Sequence, residues 1–281
     1  MRANIRSILI LFSLTLIYIS CAEKKDPFSI TTHPEGWNNT ESSLFHGIMV
    51  LENNANTDNC KSCHGFDYLG GTSGVSCNTA GCHNEPDGPE ACNTCHGNEI
   101  NSAPPEDLYG NTITSVVGVG AHQTHLLDTT WTTAYQMDCS LCHTEPNSLS
   151  SPGHIDDYPF QAEINFSSFA SNSGKSNPLW NHDSETCDNV YCHGGFSFDS
   201  LSSGINSWAY TMSTIEGNNP QMNWTFVGTG QVVCSSCHGL PPTGHIPAAT
   251  TDCVLCHPRV VDGNLNIIDK SLHINGKKEI F

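Results

Sequence analysis

Apolar residues gather into one long block near the start of the chain. Ile8 to Ile19 is almost wholly apolar, follows Arg2 and Arg6, and is too short to span a bilayer comfortably. It predicts a secretory signal over residues 1–20. No later stretch approaches 18 apolar residues, so the remainder reads as soluble. Elsewhere the apolar positions form short groups. Ser43-Leu-Phe-His-Gly-Ile-Met-Val-Leu and Gly120-Ala-His-Gln-Thr-His-Leu-Leu each predict a short helix. Gln161-Ala-Glu-Ile-Asn-Phe and Met222-Asn-Trp-Thr-Phe-Val alternate, and predict either short strands in a small sheet or plain loops. Tandem Gly and Pro at 70–71, 104–105, 194–195 and 241–242 break any long helix. Residues 144–181 and 194–233 are rich in Ser, Asn, Gly and Thr.

Hydrophobic residues make up only 37% of 281, too few for an ordinary core at this length. Something apolar must be added, and the 15 Cys and 15 His say what. Fourteen of the Cys form seven pairs, each followed at once by His. Five read CxxCH: Cys60-Cys63-His64, Cys92-Cys95-His96, Cys139-Cys142-His143, Cys234-Cys237-His238 and Cys253-Cys256-His257. Two read CxxxxCH: Cys77-Cys82-His83 and Cys187-Cys192-His193. Composition alone gives about 0.04 CxxCH matches per chain. Disulfides and zinc knuckles do not demand a His after every second Cys. Covalent haem does. Two thiols add to the vinyl groups on one porphyrin edge, and the adjacent His reaches the iron. The longer loops bulge: Gly81 makes this easy in the first, and Asn189 is the candidate turn residue in the second.

Eight His remain: His33, His46, His122, His125, His154, His182, His245 and His273. Seven irons need at most seven second ligands, so the count predicts bis-His iron throughout. His182, close before Cys187, is the expected spare. Met49, Met137, Met212 and Met222 are alternative ligands, although gap filling is the commoner use of Met. His122 and His125, at i and i+3, share one helix face and would serve two adjacent haems, or else form a polar face beside Leu126 and Leu127.

The chain carries 10 Lys plus Arg against 28 Asp plus Glu, a formal charge of −18. Loss of residues 1–20 removes two Arg and no acid, moving it to −20. Such a surface argues against nucleic-acid partners, which need Lys and Arg against phosphates, and against polybasic membrane binding. It suits redox partner proteins with basic docking patches. Ile17-Tyr18-Ile19-Ser20-Cys21 ends the signal like a lipobox, leaving two readings: a lipidated Cys21 as the sole membrane anchor, or simple cleavage. Residues 21–281 then read as a single heptahaem domain, with about 37 residues per haem.

His33-Pro-Glu-Gly-Trp, Cys60-Lys-Ser-Cys-His-Gly, Gly120-Ala-His-Gln-Thr-His, Val190-Tyr-Cys-His-Gly-Gly, Cys234-Ser-Ser-Cys-His-Gly-Leu-Pro-Pro and His273-Ile-Asn-Gly carry a resemblance over nearly all of the mature chain. The sequence resembles the bacterial multihaem c-type cytochromes that mix CxxxxCH and CxxCH sites, abundant in metal reducers such as Geobacter. The resemblance implies electron transfer in the periplasm or at the outer surface, often toward extracellular acceptors. Combined with the motifs, the expected fold is irregular coil with short helices and a few short strands, wrapped around a stacked array of seven haem c groups. The rival readings are a multihaem reductase with one open iron, and a subunit of a porin–cytochrome complex or an extracellular filament. No CxxCK site, which many such reductases use, occurs.

Overall fold

A computed structural model describes residues 32–54, 56–78, 82–83, 88–135, 137–155 and 161–281. The signal, Cys21 and Gly81 lie outside the described residues. The chain divides into two units, 1–52 and 53–281.

In the first unit, Pro34 sets a turn in which the Trp37 amide donates to the Pro34 carbonyl at 3.3 Å. The Trp37 indole stacks on the His33 imidazole, with centroids 4.5 Å apart and planes 6° from parallel. Helix α1, His46–Glu52, follows. Its first residue is pinned twice, since the His46 amide and its ring Nδ1 both donate to the Trp37 carbonyl at 2.8 Å.

The second unit is mostly turns and coil. Its α-helices are one or two turns long: α2, Asp58–His64; α3, His122–Leu127; and α4, Cys253–Cys256. The helix predicted around 120–127 thus forms, as does the one around His46. Haem motifs supply much of the remaining helical geometry, as 3₁₀ turns at Cys92–Thr94, Cys139–Leu141 and Tyr191–His193.

Two small antiparallel sheets draw on the stretches rich in Ser and Asn and on the start of the Cys187–His193 motif. The first has the order β1-β2-β5, with β1 Leu179–Asn181, β2 Thr186–Asp188 and β5 Met222–Asn223. Its central strand holds Cys187, which faces Trp180 on one side and Met222 on the other. The second pairs β3, Ser197–Asp199, with β4, Thr214–Glu216, setting Phe198 against Ile215. Of the two alternating runs, 222–227 contributes only its first two residues to a strand. The run 161–166 stays extended without strand partners, because its backbone bonds to a haem motif instead: Asn165 donates to the Cys142 carbonyl at 2.7 Å.

Buried apolar side chains are few and scattered. Val119, at 1% exposure, is the one large side chain fully out of solvent among the described residues. Leu201 and Ile205, by contrast, are 92% and 91% exposed. The protein alone does not close a core, as its composition predicts.

Candidate functional site

Five of the seven motifs place their imidazoles by a shared device. A backbone carbonyl can only accept, so a ring whose Nδ1 meets one carries its proton there and leaves the Nε2 lone pair free for a metal. Among motif histidines, His64 donates to Val75 at 3.0 Å, His96 to Ser102 at 2.5 Å, His143 to Glu163 at 2.8 Å, His238 to Gly239 at 2.8 Å and His257 to Glu279 at 2.5 Å. Five histidines outside the motifs do the same. His122 donates to Val119 at 2.8 Å, His125 to Ala121 at 2.9 Å, His154 to Leu149 at 2.9 Å, His245 to Ile246 at 2.7 Å and His273 to Trp131 at 2.7 Å.

His182 is different. Its Nδ1 accepts from the Trp180 indole N–H at 3.0 Å. An indole only donates, so the His182 proton sits on Nε2, which then has no lone pair to offer.

Among the described residues, four motif imidazoles each face a non-motif one. Ring centroids are 6.3 Å apart for His122 and His143, 5.9 Å for His125 and His193, 6.4 Å for His238 and His273, and 6.4 Å for His245 and His257. An imidazole nitrogen lies about 2.0–2.1 Å from a bound metal, and the ring centre about 1.1 Å further back, so two rings opposed across one iron have centroids about 6.3 Å apart. The spacing fits one metal between each pair. Burial pulls His122 and His193 down to about 4, and lowers His125 and His273 as well, so these rings are neutral at pH 7, as ligation requires. Among the described residues no three of His, Cys, Asp or Glu converge on one point, as a zinc site would need. Opposed pairs beside paired thiols fit a porphyrin iron, whose ring nitrogens supply the other four ligands.

Six of the motif thiols are exposed and the other eight half-buried, and burial is felt most at three of them. Burial pushes Cys142 up to about 11 and Cys187 and Cys192 up to about 12, and Cys142 is close enough to add to both. The second long loop bulges where expected, since Asn189 holds φ +57°. The Asn189 amide donates to Asn219 Oδ1 at 3.0 Å, and Asn219 Nδ2 returns a bond to Asn189 Oδ1 at 2.7 Å.

Motifs are also tied to one another. Glu90, just before Cys92, accepts from Thr57 Oγ1 at 2.6 Å and from the Tyr68 hydroxyl at 2.5 Å, and pairs with Lys61 Nζ at 2.9 Å, inside the Cys60–Cys63 loop. Gly194, next to His193, approaches Cys237 so closely that a Cβ would lie 1.9 Å from its carbonyl oxygen. Trp224 touches both histidines of α3: edge-on to His122 at 4.8 Å and stacked on His125 at 5.6 Å. Neither Trp224 nor Glu90 stood out in the sequence, because a lone Trp or Glu carries no spacing signal.

Paired thiols with an adjacent His, opposed neutral imidazoles and a coil with little core of its own define the class: a multihaem c-type cytochrome, whose covalently held haem serves electron transfer. The particular kind follows from comparison. Residues 186–238 match the family model described as the Geobacter CxxxxCH...CXXCH motif, so this part of the chain is similar to cytochromes of the CxxxxCH/CxxCH type. That match spans the Cys187–His193 and Cys234–His238 sites that the backbone packs together. No curated protein and no solved structure matches the chain.

Proposed function

We propose that the protein is a heptahaem electron carrier of the periplasm or outer surface, with every iron closed by two imidazoles, passing electrons toward extracellular acceptors. The observation that carries this is the set of four imidazole pairs, each joining a motif His to a non-motif His at the width of one iron. Bound haem supplies a one-electron iron couple.

The chain does the rest. Its cysteines hold each porphyrin by one edge. Its carbonyls orient the rings and raise their basicity. Two imidazoles would leave a bound iron no open position for a substrate, and such a fixed shell would need little rearrangement when an electron arrives or leaves. The acidic surface draws partners bearing basic patches and lowers reduction potentials by favouring the more positive iron. Exported protein carrying a lipid on Cys21 would be held at a membrane, and protease shaving of intact cells reads which face it occupies.

The test is threefold on purified holoprotein. Its mass must exceed that of the polypeptide by seven haems, its spectrum must be that of low-spin c-type haem, and the reduced form must take up no CO. CO or nitrite binding by the native protein would instead favour a reductase, and a smaller mass gain would refute the count.

A further inference from the structure

We propose that helix α3 closes two irons at once, and that the four C-terminal haems form one run in sequence order. His122 closes the iron attached at Cys139 and Cys142, and His125 the one at Cys187 and Cys192. His273 closes the iron at Cys234 and Cys237, and His245 the one at Cys253 and Cys256. This rests on the bis-His reading above and adds which ligand serves which iron.

Each assignment follows from the ring opposite. His122 faces His143, His125 faces His193, His273 faces His238 and His245 faces His257, all within 5.9–6.4 Å. His122 and His125 leave one face of a six-residue helix, so the two irons they serve are neighbours. Trp224 fills the space against both rings and is anchored by its indole N–H on the Val117 carbonyl at 2.8 Å. The second and third sites are joined by backbone, since Gly194 lies on the Cys237 carbonyl and the Asn218 amide donates to that same oxygen at 2.9 Å. The third and fourth share one loop: His238 and His245 are seven residues apart, yet each faces a different partner. Every consecutive pair of irons therefore shares a protein element, and electrons entering at one end of the run have a fixed order of stations.

The ring planes give an independent signature. Those of His122 and His143 are 20° apart, and those of His238 and His273 are 69° apart. Near-perpendicular imidazoles make low-spin ferric iron strongly anisotropic, whereas near-parallel ones give an ordinary rhombic signal.

The experiment uses the full holoprotein. Native reduced protein should bind no CO; if it does, the bis-His reading itself fails. His122→Ala, His125→Ala, His245→Ala and His273→Ala should each bind one CO per chain, and His182→Ala none. The paired variant Cys139→Ser, Cys142→Ser should lose one haem by mass. In that background His122→Ala should add no CO, because its iron is gone, while His125→Ala still adds one. The reverse result, or CO uptake by both, overturns the assignment while leaving bis-His ligation intact. Should the cysteine variant fail to fold, frozen-solution EPR of the single variants decides. His273→Ala should lose one strongly anisotropic signal and His122→Ala should keep it; the opposite pattern overturns the pairing.

Discussion

Replacing Gly120 by Ala tests how α3 is held. Gly120 holds φ +42°, which L side chains resist. Its new Cβ would lie 1.8 Å from Trp224 Nε1, so the indole must move. The left-handed backbone alone costs an alanine about 1–2 kcal/mol. Displacing Trp224 removes its bond to the Val117 carbonyl, about 0.5–1.5 kcal/mol. It also disturbs two aromatic contacts, with His122 and His125, about 0.5–1.5 kcal/mol each. The expected loss is about 2.5–6.5 kcal/mol. Guanidinium titration of the holoprotein, followed in the Soret band and by near-ultraviolet dichroism, reads it, and a rise in high-spin iron should accompany it. The decisive control is Trp224→Ala. With the indole gone, Gly120→Ala should cost only the backbone share, about 1–2 kcal/mol. Equal costs in the two backgrounds would show that the ring does not brace the helix, and the reasoning would be wrong.

The Glu90 clamp predicts an acid limb to stability. Burial alone would raise its carboxyl, but the bonds from Thr57, Tyr68 and Lys61 outweigh that and hold it below the usual range. A depressed folded value means the contribution is present above the unfolded value and fades as pH falls through the folded one. Glu90→Gln should cost about 1–2 kcal/mol near pH 7 and flatten that limb, as read by denaturation between pH 3 and 7, on the order of a charged hydrogen bond one-third exposed to water. At Asn189 the positive φ predicts that Gly is tolerated within about 1 kcal/mol, whereas Val costs at least about 2 kcal/mol and lowers haem retention, measured by pyridine haemochrome. Among the described motif rings, His193 has an Nδ1 that is buried without a hydrogen-bond partner. A less basic ligand favours ferric iron less. The iron at Cys187 and Cys192 should titrate higher than its neighbours by one neutral hydrogen bond, about 20–60 mV, and Cys187→Ser with Cys192→Ser should delete that component from a redox titration.

Much of the site could be read from spacing alone. The chemistry demands two thiols and an imidazole in one short stretch, so CxxCH and CxxxxCH show themselves wherever they fall. That His122 and His125 share one face was legible because helical geometry puts i and i+3 together, and the helix forms there. Asn189 was legible because four intervening residues need a bulge and Asn is the residue there that accepts a positive φ. The sheets were less so. Only Met222 and Asn223 of their alternating run pair as strand, since Trp224 leaves the ladder to meet α3 and its amide bonds to the Glu185 carbonyl at 2.7 Å. The run from Gln161 alternates equally well, yet serves as a strut against the Cys139–His143 motif.

The illegible part has one physical cause. The groups that aim the imidazoles are main-chain carbonyls, and every residue has one. His143 is set by Glu163, His257 by Glu279 and His273 by Trp131, the last across 142 positions of sequence. No side-chain identity at those positions is needed, so no motif marks them. This also explains why stretches that look like spacers can be so poor in apolar residues. Their task is not to fill a core, which the porphyrin faces supply, but to bring an acceptor oxygen to a particular ring. Substitutions at Glu163 or Glu279 that keep the backbone path should therefore leave the paired ring in place. A deletion of one residue between Cys142 and Glu163 should shift the carbonyl off His143 and turn its ring, although no ligand and no cysteine has changed.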